Sequence, residues 1–158
     1  MNTPGSWKSG PSVATEVTDI TTIAARSGKM ACDSRITGSY IQNGVKIVQG
    51  DNIIVGWAGD WVAGYAIAEQ IAKIATEDEP KLDDSDDVEF LIMIGRKLYL
   101  GDKQMRMAPI HSKYYAIGSG GQAAMVAMNL GCSAEEAVKE AIKVDEASGG
   151  RVRVFTNG

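Results

Sequence analysis

The sequence predicts an α+β sandwich with sheets stacked inside and helices outside. Three observations carry this. Short apolar runs alternate with turn signals, as in antiparallel hairpins. Apolar positions recur at helical spacing in the middle and near the end of the chain. The order of segments (strands, helix, strands, two helices, strand) suits stacked sheets covered by helices. The length of 158 residues is about one domain.

The elements follow in order. Residues 22–26 and 29–33 read as a hairpin turning at Ser27-Gly28. Residues 45–48 and 53–57 read as two strands around a Gly50-Asp51-Asn52 turn. A helix is predicted to open at Ala58-Gly59-Asp60 and run to about residue 76, with Val62, Tyr65, Ala66, Ile71 and Ile74 as its apolar face. The acidic run 77–87, interrupted by Pro80, reads as a solvated connection. Residues 88–94 and 97–100 form a second expected hairpin around Gly95-Arg96. Residues 114–117 make a strand ending in Gly118-Ser119-Gly120-Gly121, followed by a helix over 122–130. Ser133 and Glu136 have the spacing of a capping box, which starts the next helix. Residues 152–155 close the pattern as a strand. Residues 1–20, rich in Gly, Ser and Pro and without an apolar period, read as a flexible extension ahead of a domain over 21–158.

Composition narrows the function classes. The chain is 44% hydrophobic and 23% charged with a net charge of −4, and its basic residues are scattered, so nucleic acid is not an expected partner. No apolar stretch is long enough to cross a bilayer, the first ten residues lack the apolar core of a leader, and the expected compartment is the cytoplasm. Cys32 and Cys132 show no Cys-x-x-Cys spacing and read as ordinary buried thiols. His111 is the single histidine, so a histidine-rich metal site is excluded and any Ser-His-Asp system would depend on that one ring, in a loop-like Pro-Ile-His-Ser stretch. No metal or cofactor is expected.

Taken singly, the polar candidates have plain readings. Thr21 and Thr22 suit the start of a strand, Lys46 an edge strand, Asp33 a turn, and Asp145 and Ser148 a helix surface. Their order is more informative. Thr-Thr-Ile at 21–23, Ala-Cys-Asp-Ser-Arg-Ile-Thr at 31–37 and Gly-Val-Lys-Ile-Val at 44–48 are followed by Gly-Trp-Ala-Gly-Asp at 56–60, Ala-Ile-Gly-Ser-Gly-Gly at 116–121 and Asp-Glu-Ala-Ser-Gly-Gly at 145–150. In this order the six segments resemble the proteasome β subunits and HslV peptidases, N-terminal-nucleophile hydrolases, and most of all their compact bacterial and phage relatives. The first hairpin is about two residues shorter in each arm than in larger members; strand periodicity of two keeps each side chain on its own face.

The resemblance implies a four-layer αββα sandwich, with two stacked, mostly antiparallel sheets between helices. It implies a threonine peptidase or amidohydrolase that forms an acyl-enzyme on Thr21, with the threonine's own α-amino group as base. Lys46 is then the cation beside the hydroxyl, Asp33 holds Lys46, and Ser119, Asp145 and Ser148 position the amine and a water. Gly59 supplies the oxyanion donor, Thr37 pairs with an extended substrate backbone, and Ile36, Gly44, Val48 and Trp57 line an apolar pocket. The implied partners are a peptide or unfolded-protein substrate, copies of the chain in a ring, and an unfolding ATPase. The natural contact surfaces of such a ring would be the 60–76 helix and the helices of 122–148.

One feature departs from the family pattern. The mechanism needs Thr21 at a chain terminus, and here a peptide bond joins it to Ile20, a bulky residue where self-cleaving relatives carry glycine. Three readings stay open. The extension is a removable propeptide; or translation starts at position 20, where the relatives have their initiator Met, and trimming exposes Thr21; or the extension stays and the chain is a silent ring protein.

Overall fold

The computed structural model describes residues 21–37, 41–73 and 87–157. The expected extension over 1–20 and nearly all of the acidic connection lie outside the described residues.

Two antiparallel sheets form the centre. In the first, β1 (Ile23–Arg26) pairs with β2 (Lys29–Cys32) on one side and β10 (Tyr114–Ile117) on the other, and β11 (Arg153–Thr156) adds to β2. The β1–β2 turn is the expected Ser27-Gly28, with φ of 56° and 76°, the left-handed pair that suits the twist of a two-residue hairpin. The second sheet runs in chain order through β5 (Ile47–Gly50), β6 (Ile53–Gly59), β7 (Val88–Ile94), β8 (Lys97–Gly101) and β9 (Met107–Ile110). A small ribbon of β3 (Arg35–Thr37) and β4 (Ile41–Asn43) stands apart.

Side-chain alternation divides the core into three layers. Ile23, Ala25, Met30 and Cys32 of the first sheet meet Ile47, Ile54, Leu91 and Met93 of the second. The intervening residues Ala24, Ala31 and Ala116 face α2 (Gly121–Asn129) and α3 (Ala134–Val144) through Ala124, Met128, Ala137 and Ala141. Small residues there let the helix pair lie close on the strands. On the far side, Val55, Phe90 and Ile92 pack against α1 (Trp61–Ile71) through Ile67 and Ala68. The sequence of layers is therefore helices, sheet, sheet, helix, the expected αββα sandwich.

Several expectations needed correction. Helix α1 buries Gly64, Ile67 and Ala68, while Val62 is 74% exposed. Of the apolar residues picked out from the sequence, Val62 and Tyr65 are exposed, Ala66 and Ile71 are half-buried with Ile71 against the core, and Ile74 lies outside the described residues; the indole of Trp57 sits over Gly64 instead. A Cβ at Gly64 would lie 2.1 Å from Trp57 Cδ1. The loop-like reading of the 109–112 stretch is corrected in part: Pro109 and Ile110 belong to strand β9. Proline lacks the ladder donor, yet β9 is an edge strand and Pro109 sits opposite Tyr99 without needing that donor. The capping box of α3 is present in both halves, Ser133 to the Glu136 N–H and Glu136 to the Ser133 N–H. Among the described residues, no helix is long and apolar enough to cross a membrane.

Candidate active site

Thr21 lies two residues before β1, in the stretch that leads into the β1–β10 ladder. The Gly118–Gly121 turn wraps its backbone. Gly120 N–H donates to Thr21 O at 3.2 Å, and a Cβ on Gly118, whose φ is +94°, would lie 2.2 Å from that same oxygen. A substituted residue at Gly120 is equally unwelcome, since its Cβ would meet Thr22 Oγ1 at 1.9 Å. These glycines are needed so that the turn can close on the threonines.

Asp33, just past β2 and fully buried, is the centre of the polar cluster. Its Oδ1 accepts from Thr21 Oγ1 at 2.8 Å, from Thr22 N–H at 3.0 Å and from Lys46 Nζ at 2.9 Å. Its Oδ2 accepts from Gly149 N–H at 2.9 Å. Lys46, just before β5, is buried with it. Burial, the larger influence, pushes the Lys46 ammonium below its ordinary value against the opposing pull of Asp33.

A second set of bonds begins at the Thr21 nitrogen. It donates to Ser119 Oγ at 3.2 Å, and Ser119 Oγ donates to Asp145 Oδ2 at 2.6 Å. Ser148 Oγ also donates to Asp145 Oδ2, at 2.6 Å, and lies 2.7 Å from Thr22 Oγ1. A serine hydroxyl has one proton, so Thr22 is the donor in that last pair. Partial burial alone would raise the Asp145 carboxyl. The bonds from Ser119, Ser148 and the backbone beyond outweigh it and hold the group below the usual carboxylate range.

Thr21, Lys46 and Gly59 also line a narrow pocket whose apolar walls are Ile36, Trp57 and Trp61, with Arg35 completing it. Gly59 ends β6 with φ of +114°, and a Cβ there would lie 2.0 Å from the carbonyl oxygen of Asp87. Gly44 borders the pocket, where a Cβ would be 2.0 Å from Ile36 Cδ1. Trp57 contributes one side to the lining but is mostly core, 1% exposed and edge-on to Tyr65 with ring centres 5.7 Å apart. Val48 packs with Val55 and Ile67 under α1, away from the lining. Thr37 lies in β3, opposite Ile41.

Thus Thr21, Asp33, Lys46, Ser119, Asp145 and Ser148 form one bonded cluster, although 127 positions separate the first from the last. Sequence reasoning passed over four participants. Thr22 joins through its hydroxyl, Gly149 through its N–H, Arg35 by lining the pocket, and Trp61 by lining it while its Nε1 donates to Val45 O at 2.7 Å. The glycines around Ser119 were the available signal for Thr22, since such a run marks a close backbone approach. His111 lies beyond β9 and takes no part.

Neither a family model nor a curated protein matches the chain. Solved structures do. BPH of Thiobacillus denitrificans in complex with epoxomicin matches with a TM-score of 0.64 at 21% identity, over 85% of this chain and 96% of that one. HslV of Trypanosoma brucei matches at 0.61 and 16% identity, over 85% and 97%. Anbu of Hyphomicrobium sp. strain MC1 matches at 0.64 and 11% identity, over 86% and 81%. The fold is that of the proteasome-like N-terminal-nucleophile hydrolases. It is the architecture that the six sequence segments resemble, and the likeness covers most of the chain. In this frame the bonded cluster joins Asp33, just past β2 of the first sheet, to Lys46, just before β5 of the second, with the small pocket beside Thr21.

Proposed function

We propose that the chain is a threonine-type peptidase or amidohydrolase that works through an acyl-enzyme on Thr21 once the bond to Ile20 is gone. The observation that carries this reading is the convergence of the Thr21 hydroxyl and the Lys46 ammonium on one carboxylate oxygen of Asp33. A threonine hydroxyl needs a base. The freed α-amine, with a reference pKa of about 7.7–8.0, is neutral in a useful fraction near pH 7. It takes the hydroxyl proton as Oγ1 attacks the substrate carbonyl, and the resulting oxyanion is met by the Gly59 N–H. The proton then passes to the leaving amine, giving an ester on Thr21. Water attacks that ester, the amine again accepts the proton, and the hydroxyl is regenerated. Ser119 supports the reading by holding the Thr21 nitrogen on its hydroxyl, with Asp145 behind it.

Lys46 favours loss of the hydroxyl proton through its charge, and Asp33 keeps that charge in place. The depressed Lys46 pKa makes this help depend on pH, greatest where the ammonium is intact.

Assembly into a ring of identical chains belongs to the same proposal. Val126, Leu130 and Val144 on α2 and α3 are 61%, 80% and 71% exposed, beside the i,i+4 pair Glu135–Lys139. An apolar stripe rimmed by both charge signs suits contact between copies. Peptides or unfolded chains are the substrates this reading expects, delivered by an ATPase.

Intact mass and N-terminal sequencing of the purified protein, with and without epoxomicin, test it. The expected result is a chain beginning at Thr21 that gains the inhibitor's mass, and a Thr21→Ala variant that folds but does neither. A stable full-length chain that ignores the inhibitor sinks the hydrolase and leaves the silent ring protein that keeps its extension.

A further inference from the structure

Thr22 stands next to Thr21 in the chain and is fully buried. Its main chain is tied to Asp33 in both directions. The Thr22 N–H donates to Asp33 Oδ1 at 3.0 Å, and the Thr22 carbonyl accepts from the Asp33 N–H at 3.2 Å. Neither bond needs a hydroxyl, and valine would suit a buried position before a strand as well. The hydroxyl has its own task. A Cβ on Gly120 would lie 1.9 Å from Thr22 Oγ1 and 3.2 Å from Asp145 Oδ2, so the bare glycine lets the 118–121 turn close over both oxygens. Beneath that turn the protons run one way. Asp145, held ionised by its hydrogen bonds, can only accept. Ser148 therefore gives its single proton to Asp145 Oδ2 at 2.6 Å and takes that of Thr22 at 2.7 Å. From the other side Thr21 N–H donates to Ser119, and Ser119 donates to the same Asp145 oxygen at 2.6 Å. The two neighbouring threonines are thus joined a second time, through Ser148, Asp145 and Ser119.

We propose that Thr22 is a positioning residue for the reaction at Thr21, its hydroxyl holding Ser148 on Asp145 and, through Asp145 and Ser119, fixing the Thr21 nitrogen. The proposal rests on Thr21 being the nucleophile and its nitrogen the base, and adds a residue to that reading. With the Thr22 proton on it, Ser148 Oγ has one way to point, and Asp145 Oδ2 keeps both of its serine donors. Without that proton Ser148 is free to turn, and Asp145 and Ser119 lose the restraint that fixes where the nitrogen sits. Small misplacements of a reacting group are costly to rate. Thr22 also belongs to both halves of the cluster, since its N–H is on Asp33 and its hydroxyl on the Asp145 side. The nucleophile's hydroxyl and its nitrogen are thereby set relative to each other through one residue.

Thr22→Val tests the proposal, because it keeps the shape, the branching and both main-chain bonds and removes the hydroxyl alone. No donor is orphaned, since Ser148 still has Asp145 to donate to. The full chain is assayed on a panel of fluorogenic peptides after exposure of Thr21. In Thr22→Val, kcat should fall about tenfold, the worth of one hydrogen bond, with KM unchanged. Thr22→Ser should regain most of the rate, which loss of packing alone would not allow. Ser148→Ala should lower kcat as well, and adding Thr22→Val to it should lower kcat no further, because the hydroxyl acts through Ser148. Should Thr22→Val fold poorly, Thr22→Ala read against Thr22→Ser asks the same question of the hydroxyl. A kcat unchanged in Thr22→Val, a rate that Thr22→Ser does not restore, or losses in Thr22→Val and Ser148→Ala that multiply each overturn the positioning role. Wild type that cuts no peptide and matches Thr21→Ala is instead the failure of the hydrolase reading, and the role of Thr22 falls with it.

Discussion

Removing the Asp33 carboxylate and removing the Lys46 ammonium should have very different consequences, although the two are ion-paired at 2.9 Å. Asp33→Ala takes the shared acceptor from four donors at once: Thr21 Oγ1, the N–H groups of Thr22 and Gly149, and the Lys46 ammonium. Three neutral donors at about 1 kcal/mol each and a buried ammonium at about 3 kcal/mol give about 6 kcal/mol. For a chain of this size that is a fall in Tm of about 15 °C. Lys46→Met keeps the length and the packing and leaves Asp33 three of its four hydrogen bonds, so about 2 kcal/mol is expected. In the Asp33→Ala background, Lys46→Met should be stabilising by about 2 kcal/mol, because it removes a buried charge that no longer faces the Asp33 carboxylate. Urea unfolding at fixed protein concentration, followed by circular dichroism at pH 7, reads all four corners of this cycle. The sign with pH is also fixed. Burial already depresses the Lys46 pKa, so above its folded value the unfolded chain holds more protons than the native one, and Asp33→Ala should regain stability as pH rises towards the unfolded value of 10.5. Equal losses for the two single variants, or a double variant less stable than Asp33→Ala, would refute the assignment of Asp33 as the shared acceptor.

Other outcomes are expected. Gly59→Ala forces a Cβ into the Asp87 carbonyl at φ of +114° and should lower stability by about 2–3 kcal/mol, seen as a drop in Tm of about 5–10 °C. Burial, with Asp33 nearby, pushes the Cys32 thiol up to about 12, so at pH 8 a thiol reagent should label the partly exposed Cys132 and leave Cys32 unmodified in the native chain, as peptide mapping would report. Asp145 has a lowered folded pKa, so its share of stability is present above the unfolded value of 3.8 and is lost as pH falls through the folded one. Asp145→Asn should therefore lie below wild type in Tm at pH 6 and converge on it at pH 2; a constant gap across that range would show that the carboxylate's charge is not what matters.

Much of the fold was legible because local rules and tertiary packing agree. Ser27-Gly28, Gly95 and the Ser133–Glu136 box fix their turns and cap by backbone chemistry alone, and the structure has them where the sequence put them. The exposed faces were less legible. Val62 and Tyr65 fall at helical spacing like core residues, but which stripe is buried depends on where the Trp57 indole of the packed strand β6 sits, not on the helix alone. The short β3–β4 ribbon lacks an apolar period and pairs within itself, so nothing in its sequence announces it. At the site, the side chains with unusual chemistry stood out by type and order. Thr22 and Gly149 did not, because one looks like any strand residue and the other acts through its main chain.

The four bonds gathered on Asp33 also bear on the order of events in folding. Two of the donors come from the first residues of the described chain and one from Gly149, near its end. Until the segment after α3 has docked, the carboxylate lacks that partner and Ser119 lacks Asp145. A chain emerging in sequence order, or one paused part-way, thus carries Thr21 without the full bonded cluster. The bonded cluster around Thr21 is therefore complete only when the 145–149 turn is in place.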